Sequence, residues 1–363
     1  MKAARTYPAR RDDVRLLVVD GATGSLREGR TPALPSLLAS GDLLVVNDAA
    51  TLPASLHGRD AADAPLEARL ISADSERGAG HFWAVLFGAG DWHQRTEDRP
   101  PPPALAAGAR LRFGGLAAQI VALSPVSPRL VALRFGDADD AVWAALYREG
   151  RPVQYSYLAH ELPLWAVQTA YGGRPWAFEM PSAGRPLSWE ILLALSRRGV
   201  RWAFLTHAAG LSSTGDPVLD AALPLPERFD IPASTIAAIA DTHQQGGRVI
   251  AVGTTVVRAL EGGSAPDGSL REGSGVTDLR IGPGYRPRVV DGILSGIHTA
   301  AESHFALLAA FAPLDLLRSA ERYAEAHGFT SHELGDAMLI LPATRRPLRL
   351  PDARPGRSDD ARI

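Results

Sequence analysis

A chain of 363 residues with a net charge of −2, 46% hydrophobic and 21% charged, has the make-up of a globular protein with room for two domains, and not of a uniformly basic nucleic-acid binder. It contains no cysteine, and Lys2 is the only lysine among its 38 lysines and arginines. Disulfides, thiolate metal sites, cysteine nucleophiles, a phosphate-loop lysine and an interior Schiff-base lysine are therefore excluded.

In chain order, RLLVVD at 15–20 and DLLVVN at 42–47 are short β-branched runs flanked by turn signals, with one helical turn expected at 35–39. From residue 54 the character changes. His57-Gly-Arg and the segments 66–71, 82–87, 110–113, 119–123 and 130–135 are strand candidates at regular spacing, separated by Gly and Pro clusters such as RPPPPALAAG at 99–108. That pattern predicts a small antiparallel barrel or sandwich, closed by a helix over 137–150. Beyond residue 150, strands alternate with helices. Ser188 caps a helix that stops before Gly199, 202–206 is a strand, 234–245 a helix with Pro232 near its start, 248–252 a strand, 315–327 a helix capped by Asp315, and 337–341 a last strand. The expected architecture is α/β, with a mixed, largely parallel sheet domain made of 1–53 and 150–341. A small antiparallel β-barrel is inserted at 54–149, and a disordered tail covers 342–363.

The N-terminal MKAARTYPARRDD lacks the apolar core of a signal peptide, and no run approaches the roughly 20 apolar residues of a membrane span. A cytoplasmic, non-membrane protein is expected, as a monomer.

Four stretches carry chemistry. In RVIAVGTTVVRALEGG at 248–263, a strand turns on Gly253 into a helix start, and Thr254, Thr255 and Arg258 face a common point. A capped helix with an Arg258–Glu261 surface pair accounts for the same residues. In GSGVTDLRIGPGYRPRVVDGILSGIH at 273–298, Thr277, Asp278, Pro283, Gly284, Tyr285, Asp291 and His298 combine turn residues with acid and base groups. A plain β-hairpin is the alternative. His207 and His298 both follow strands, where α/β sheets meet ligands. GDAMLIL at 335–341 reads on its own as a turn at Asp336 before a strand. The ten histidines contain no HExxH and no metal triad, so no metal is expected.

Taken together and in order, RLLVVD, GDLLVVND with LPA after it, IAVGTTVVRALE, the 273–298 stretch and GDAMLI resemble the S-adenosylmethionine:tRNA ribosyltransferase-isomerase family of queuosine biosynthesis. VQTAY at 167–171 and PSAG at 181–184 are weaker echoes. The resemblance implies an α/β domain with an inserted β-barrel. It also implies an enzyme that moves the ribosyl group of S-adenosylmethionine, its co-substrate, onto the aminomethyl-deazaguanine of tRNA. The products are epoxyqueuosine, adenine and methionine, with no metal needed. On this basis Asp278, Tyr285, His298 and Asp336 are the expected catalytic groups. Gly253, Thr254, Thr255, Arg258, Thr277, Pro283, Gly284, Asp291, Ser182 and Gly184 are the expected substrate-binding residues.

The chain also departs from the family pattern. Ala50 replaces an arginine, Arg185-Pro186-Leu187 replaces Leu-His-Phe, and HAAGLSST at 207–214 replaces Leu-His-Val-Gly-Leu-Gly-Thr-Phe. Leu225-Pro226-Glu227 stands for His-Ser-Glu, and after His298 the usual Leu-Pro-Lys-Ser is Thr299-Ala300-Ala301-Glu302. Losses of this kind leave three readings: the family reaction in a divergent member, a paralogue using S-adenosylmethionine with a small-molecule acceptor, or a silent binding protein.

Overall fold

The computed structural model describes residues 1–342 except 75, 76, 79, 137, 138 and 301. The expected tail therefore lies, beyond Pro342, outside the described residues, as does the start of the helix expected from 137.

The apolar runs of the sequence form a nine-stranded sheet. Its order is Gly273–Thr277, Glu227–Ile231, Arg201–His207, Leu43–Asn47, Val249–Val252, Gly292–Gly296, Ala337–Leu341, Arg15–Asp20 and Leu26–Arg30. The runs are continuous because both faces are covered. Leu17, Val19, Leu43, Val45 and Ala251 pack under helices Ala233–Gln244, Thr254–Gly262 and Leu314–Ala326, whereas Leu16, Val18, Leu44, Val46 and Ile250 pack under Trp189–Arg197. The sheet is mixed, as expected, with its parallel pairings concentrated at the centre. Arg201–His207, Leu43–Asn47, Val249–Val252 and Gly292–Gly296 are mutually parallel in the centre, and Ala337–Leu341 is parallel to Arg15–Asp20. The other four pairings are antiparallel, and of these only Arg15–Asp20 with Leu26–Arg30 is joined by a short turn.

The strand candidates from 55 to 135 close into a six-stranded antiparallel barrel, in the order Leu116–Leu123, Leu130–Phe135, His81–Phe87, Pro65–Ala73, Ser55–Asp60 and Arg110–Phe113. Closure removes the exposed edges that a six-stranded ribbon would otherwise carry. Helix Asp139–Glu149 plugs one mouth through Val142, Ala145 and Leu146, and Trp143 meets Phe82 edge to face. On the far side of the barrel wall, Glu67 is buried with Arg69 and Arg99, all at 1–2% exposure. Arg69 Nε donates to Glu67 Oε1 at 2.7 Å, Ser55 Oγ donates at 2.8 Å, and Arg99 Nη1 binds Oε2. Burial alone would raise the Glu67 pKa; the two guanidiniums instead hold it down at about 2.

Ser188 caps helix Trp189–Arg197 as expected, its Oγ accepting from Ile191 N at 3.4 Å. Asp315 does not cap its helix. The helix starts one residue earlier behind Pro313, leaving Asp315 in the first turn. Nor does 273–298 form a hairpin: Gly273–Thr277 pairs with Glu227–Ile231, and Gly292–Gly296 lies between Val249–Val252 and Ala337–Leu341.

Candidate active site

The four central parallel strands end at one edge of the sheet, the position at which open α/β sheets present their ligand sites. There Gly253 takes φ = +91°, a conformation open to glycine, and its N–H donates to Leu294 O at 2.8 Å. The first-turn N–H groups of the helix that follows have no side-chain cap among the described residues. The turn Ser182–Gly184 leans on the same spot, since a Cβ on Gly253 would sit 3.4 Å from Ala183 Cβ. Gly184 in turn is needed where the chain passes Tyr171, whose Oη would lie 2.2 Å from an added Cβ. Asn47 stitches the strand ends together: its Nδ2 donates to His207 O at 3.0 Å and to Thr255 Oγ1 at 3.4 Å, and its Oδ1 accepts from His207 N at 2.9 Å.

Arg258 does not pair with Glu261. It reaches the other way, with Nη1 on Glu227 Oε2 and Nε donating to Leu279 O at 3.2 Å. Its Nη2 is buried and has no hydrogen-bond partner among the described residues. His207, fully buried, stands 3.3 Å from Glu227 Oε2, yet among the described residues neither ring nitrogen makes a hydrogen bond. Burial and the Arg258 charge push His207 down to about 3, so it is neutral. Glu227 also accepts from Gly210 N at 2.8 Å. A second carboxylate, Glu179, binds the Tyr155 hydroxyl and accepts from Ser212 N at 3.1 Å; burial raises its pKa, and Arg69 of the barrel opposes the rise. Buried charges therefore run from the barrel wall to the sheet edge.

Beside Tyr155 lies a small cavity lined by Tyr157, Leu158, Leu162, Glu179 and Glu333. Burial lifts Glu333 to about 7. A carboxyl whose pKa rises on folding stabilises the fold below its unfolded value of 4.5, and that contribution is lost as pH climbs towards 7. The melting temperature of Glu333→Gln is therefore expected to lack a fall that the parent shows across that window, measured by thermal denaturation at stepped pH.

His298 follows Gly292–Gly296, as expected. Its Nδ1 lies 2.8 Å from Glu302 Oε2, and its Nε2 lies 3.3 Å from Ser295 Oγ. The His304 ring stacks on it at 4.8 Å. Burial opposes ionisation of Glu302, but His298 and the Thr299 donors hold it down at about 2; burial and His298 push His304 down to about 4. Three groups of metal-ligand type thus meet where the sequence showed no triad. The spacing i, i+4, i+6 follows no familiar motif, which is why the sequence did not reveal it.

The remaining expected residues divide. Asp278 is exposed, adjoins the buried Thr277 and lies close enough for its charge to act on Arg258. Asp336 neighbours His298 through Ile297, but its carboxylate accepts from Arg15 N at 3.1 Å and from Thr330 N and Oγ1 at 2.8 and 3.0 Å. Asp291 sits at the opposite edge, bound to Val249 N at 2.8 Å and His243 Nε2 at 3.1 Å. Tyr285 donates to Glu261 Oε2 at 3.1 Å, and Glu261 also takes the N–H groups of Arg288, Val289 and Val290, ahead of strand Gly292–Gly296. Pro283 and Gly284 form an exposed turn before it. The groups missed in the sequence are Tyr155, Glu179, His304 and Glu333, which come from four separate segments.

The chain thus forms an α/β sheet with a closed antiparallel barrel, and the central parallel strands of the sheet end in a buried polar cluster. Residues 2–340 match the family described as queuosine biosynthesis protein, and the chain belongs to that family. It is similar to the S-adenosylmethionine:tRNA ribosyltransferase-isomerase of Gloeobacter violaceus, 36% identical over 337 residues that cover 92% of this chain and 90% of the relative. The enzyme of the same name from Thiobacillus denitrificans is 35% identical over 350 residues, covering 94% of each chain. The crystal structure of S-adenosylmethionine tRNA ribosyltransferase from Thermotoga maritima shares the fold, with a TM-score of 0.50 at 24% identity, over 93% of this chain and 96% of that one.

Proposed function

We propose that the protein is an S-adenosylmethionine:tRNA ribosyltransferase-isomerase, which moves the ribosyl group of S-adenosylmethionine to the aminomethyl-deazaguanine of tRNA and releases adenine and methionine. The observation that carries this reading is full-length membership of the family, with relatives of that activity at 35–36% identity. No helix among the described residues is long and apolar enough to cross a membrane, which suits a cytoplasmic tRNA enzyme.

The chemistry makes demands that the chain's residues can meet. The uncapped N–H groups at Thr254 and Thr255 and the spare Nη2 of Arg258 form a donor set for an anionic group, such as the carboxylate of the methionine half. Glu179 with Tyr155 offers the sulfonium acidic and π-rich company. A base must remove the acidified ribose proton beside the sulfonium. Of the three aspartates expected at the site, only Asp278 keeps a carboxylate free of hydrogen bonds among the described residues, and it takes this role. Asp291, Asp336 and Tyr285 position backbone instead.

Gly253→Ala is expected to weaken S-adenosylmethionine binding and to lower stability by about 1–2 kcal/mol through its left-handed backbone alone. Calorimetric titration and a thermal melt measure the two effects. The reaction itself is tested by mixing protein with S-adenosylmethionine, with and without tRNA bearing the aminomethyl base, and following adenine and methionine by mass spectrometry. Release that requires the tRNA supports the proposal. Release without tRNA, or none at all, overturns it.

A further inference from the structure

The geometry points to a site for one borderline divalent cation of the zinc type, held by His298, Glu302 and His304. Their ligand atoms all lie within 4.8 Å of one another. A cation bound by two imidazoles and a carboxylate needs them about 2 Å from its centre, so the side chains have to close by only about an ångström each.

The surroundings already orient these groups as ligands. Glu302 Oε1 is taken up by Thr299 N at 3.2 Å and Thr299 Oγ1 at 2.9 Å, which leaves Oε2 pointing at His298. Nδ1 of His298 becomes the coordinating atom when it gives up the proton it shares with Glu302 Oε2, the remaining N–H at Nε2 then donating to Ser295 Oγ. Supports of this kind fix the tautomer and direction of a metal-binding imidazole. His304 makes no hydrogen bond among the described residues, and its stacking against His298 sets the two rings side by side. His304 thus offers a ring nitrogen beside a carboxylate and a second imidazole. Two imidazoles and one carboxylate are the donor set of a zinc-type ion, and three protein ligands leave a coordination position open.

The site also bears on the departure at 299–302. A chain that has lost a lysine there and gained Glu302 regains positive charge at the sheet edge when the cation binds. His298 then serves as a ligand, and not as the acid–base group expected from the sequence. The inference concerns binding and is independent of the acceptor used in the reaction.

The test uses the full chain, freed of any histidine tag and dialysed against chelator. Zinc chloride is titrated calorimetrically, and cobalt(II) is followed by its visible absorption. One ion per chain is expected. Its affinity should fall at least about tenfold in Glu302→Gln and about a hundredfold in His304→Leu. His93→Ala, at an exposed histidine paired with Asp91, should bind as the parent does. Circular dichroism checks that the variants are folded. Should His304→Leu fail to fold, the histidine ring resonances of the parent decide. Zinc shifting two of the ten histidines supports the site. Retained affinity in the folded variants, or zinc that shifts no histidine selectively, overturns it.

Discussion

Glu67→Gln is expected to lower stability by about 3–5 kcal/mol, because it leaves two guanidiniums buried without a counter-charge. Arg69 and Arg99 are 1–2% exposed, and Glu67 is the carboxylate both of them bind. A loss of that size is a large part of the roughly 5–15 kcal/mol that holds a domain together. The melting temperature should fall by roughly 5–10 °C, or the protein should be recovered only in aggregates. Replacing Glu97, which pairs with Arg95 on the surface, should move stability by less than about 0.5 kcal/mol. The Glu67 contribution has its own pH signature. A carboxyl depressed from 4.5 to about 2 stabilises the fold fully above 4.5 and loses that effect as pH falls towards 2. Acid unfolding of Glu67→Gln should accordingly be shallower over that range. Equal melting temperatures for Glu67→Gln and parent would show that the barrel tolerates the bare charges.

Arg258→Met is expected to reduce adenine release by on the order of 10²–10³-fold, the effect of removing one preorganised donor from a buried site. The substitution keeps an unbranched side chain out to the position of Nε but removes the Glu227 pair, the bond to Leu279 O and the spare Nη2. It also changes a neighbour in a way that can be read without substrate. His207 is held neutral at about 3 by burial first and by the Arg258 charge second. With the guanidinium gone, Glu227 faces His207 alone at 3.3 Å, and the imidazole pKa should rise. A histidine titration by NMR reports this directly. An unmoved His207 together with full activity would mean that Arg258 is only a strut between strands.

The two outcomes bear on how much of the molecule could be read in its sequence. Strands such as RLLVVD and DLLVVN were legible because covered sheet faces demand unbroken apolar runs, and Ser188 was legible because helix starts demand a cap. The edge pairings were not, since the direction of a strand is set by where its connection crosses. The positions of Gly253 and His298 just past strands were legible because a strand end leaves a local signature. Asp291, Asp336 and Tyr285 looked chemical for their residue types, yet a carboxylate is also a good acceptor for stray backbone N–H groups, and composition does not separate the two uses. Glu179, His304 and Glu333 were invisible because tertiary folding alone places them beside their partners.

The order of strands in the sheet sets a timetable for making the protein. Leu43–Asn47 pairs with strands that begin at Arg201 and Val249, and Arg15–Asp20 pairs with Ala337–Leu341 at the far end of the chain. On the ribosome the earliest strands must wait for the latest ones, whereas the barrel strands from Ser55 to Phe135 emerge together and meet only one another. Synthesis at roughly 5–20 residues per second gives the barrel several seconds to close before the centre of the sheet can assemble. Through that interval strand 43–47 has no sheet partner and strand 15–20 has only its hairpin neighbour Leu26–Arg30, so chaperone dependence and aggregation of truncated chains should concentrate there.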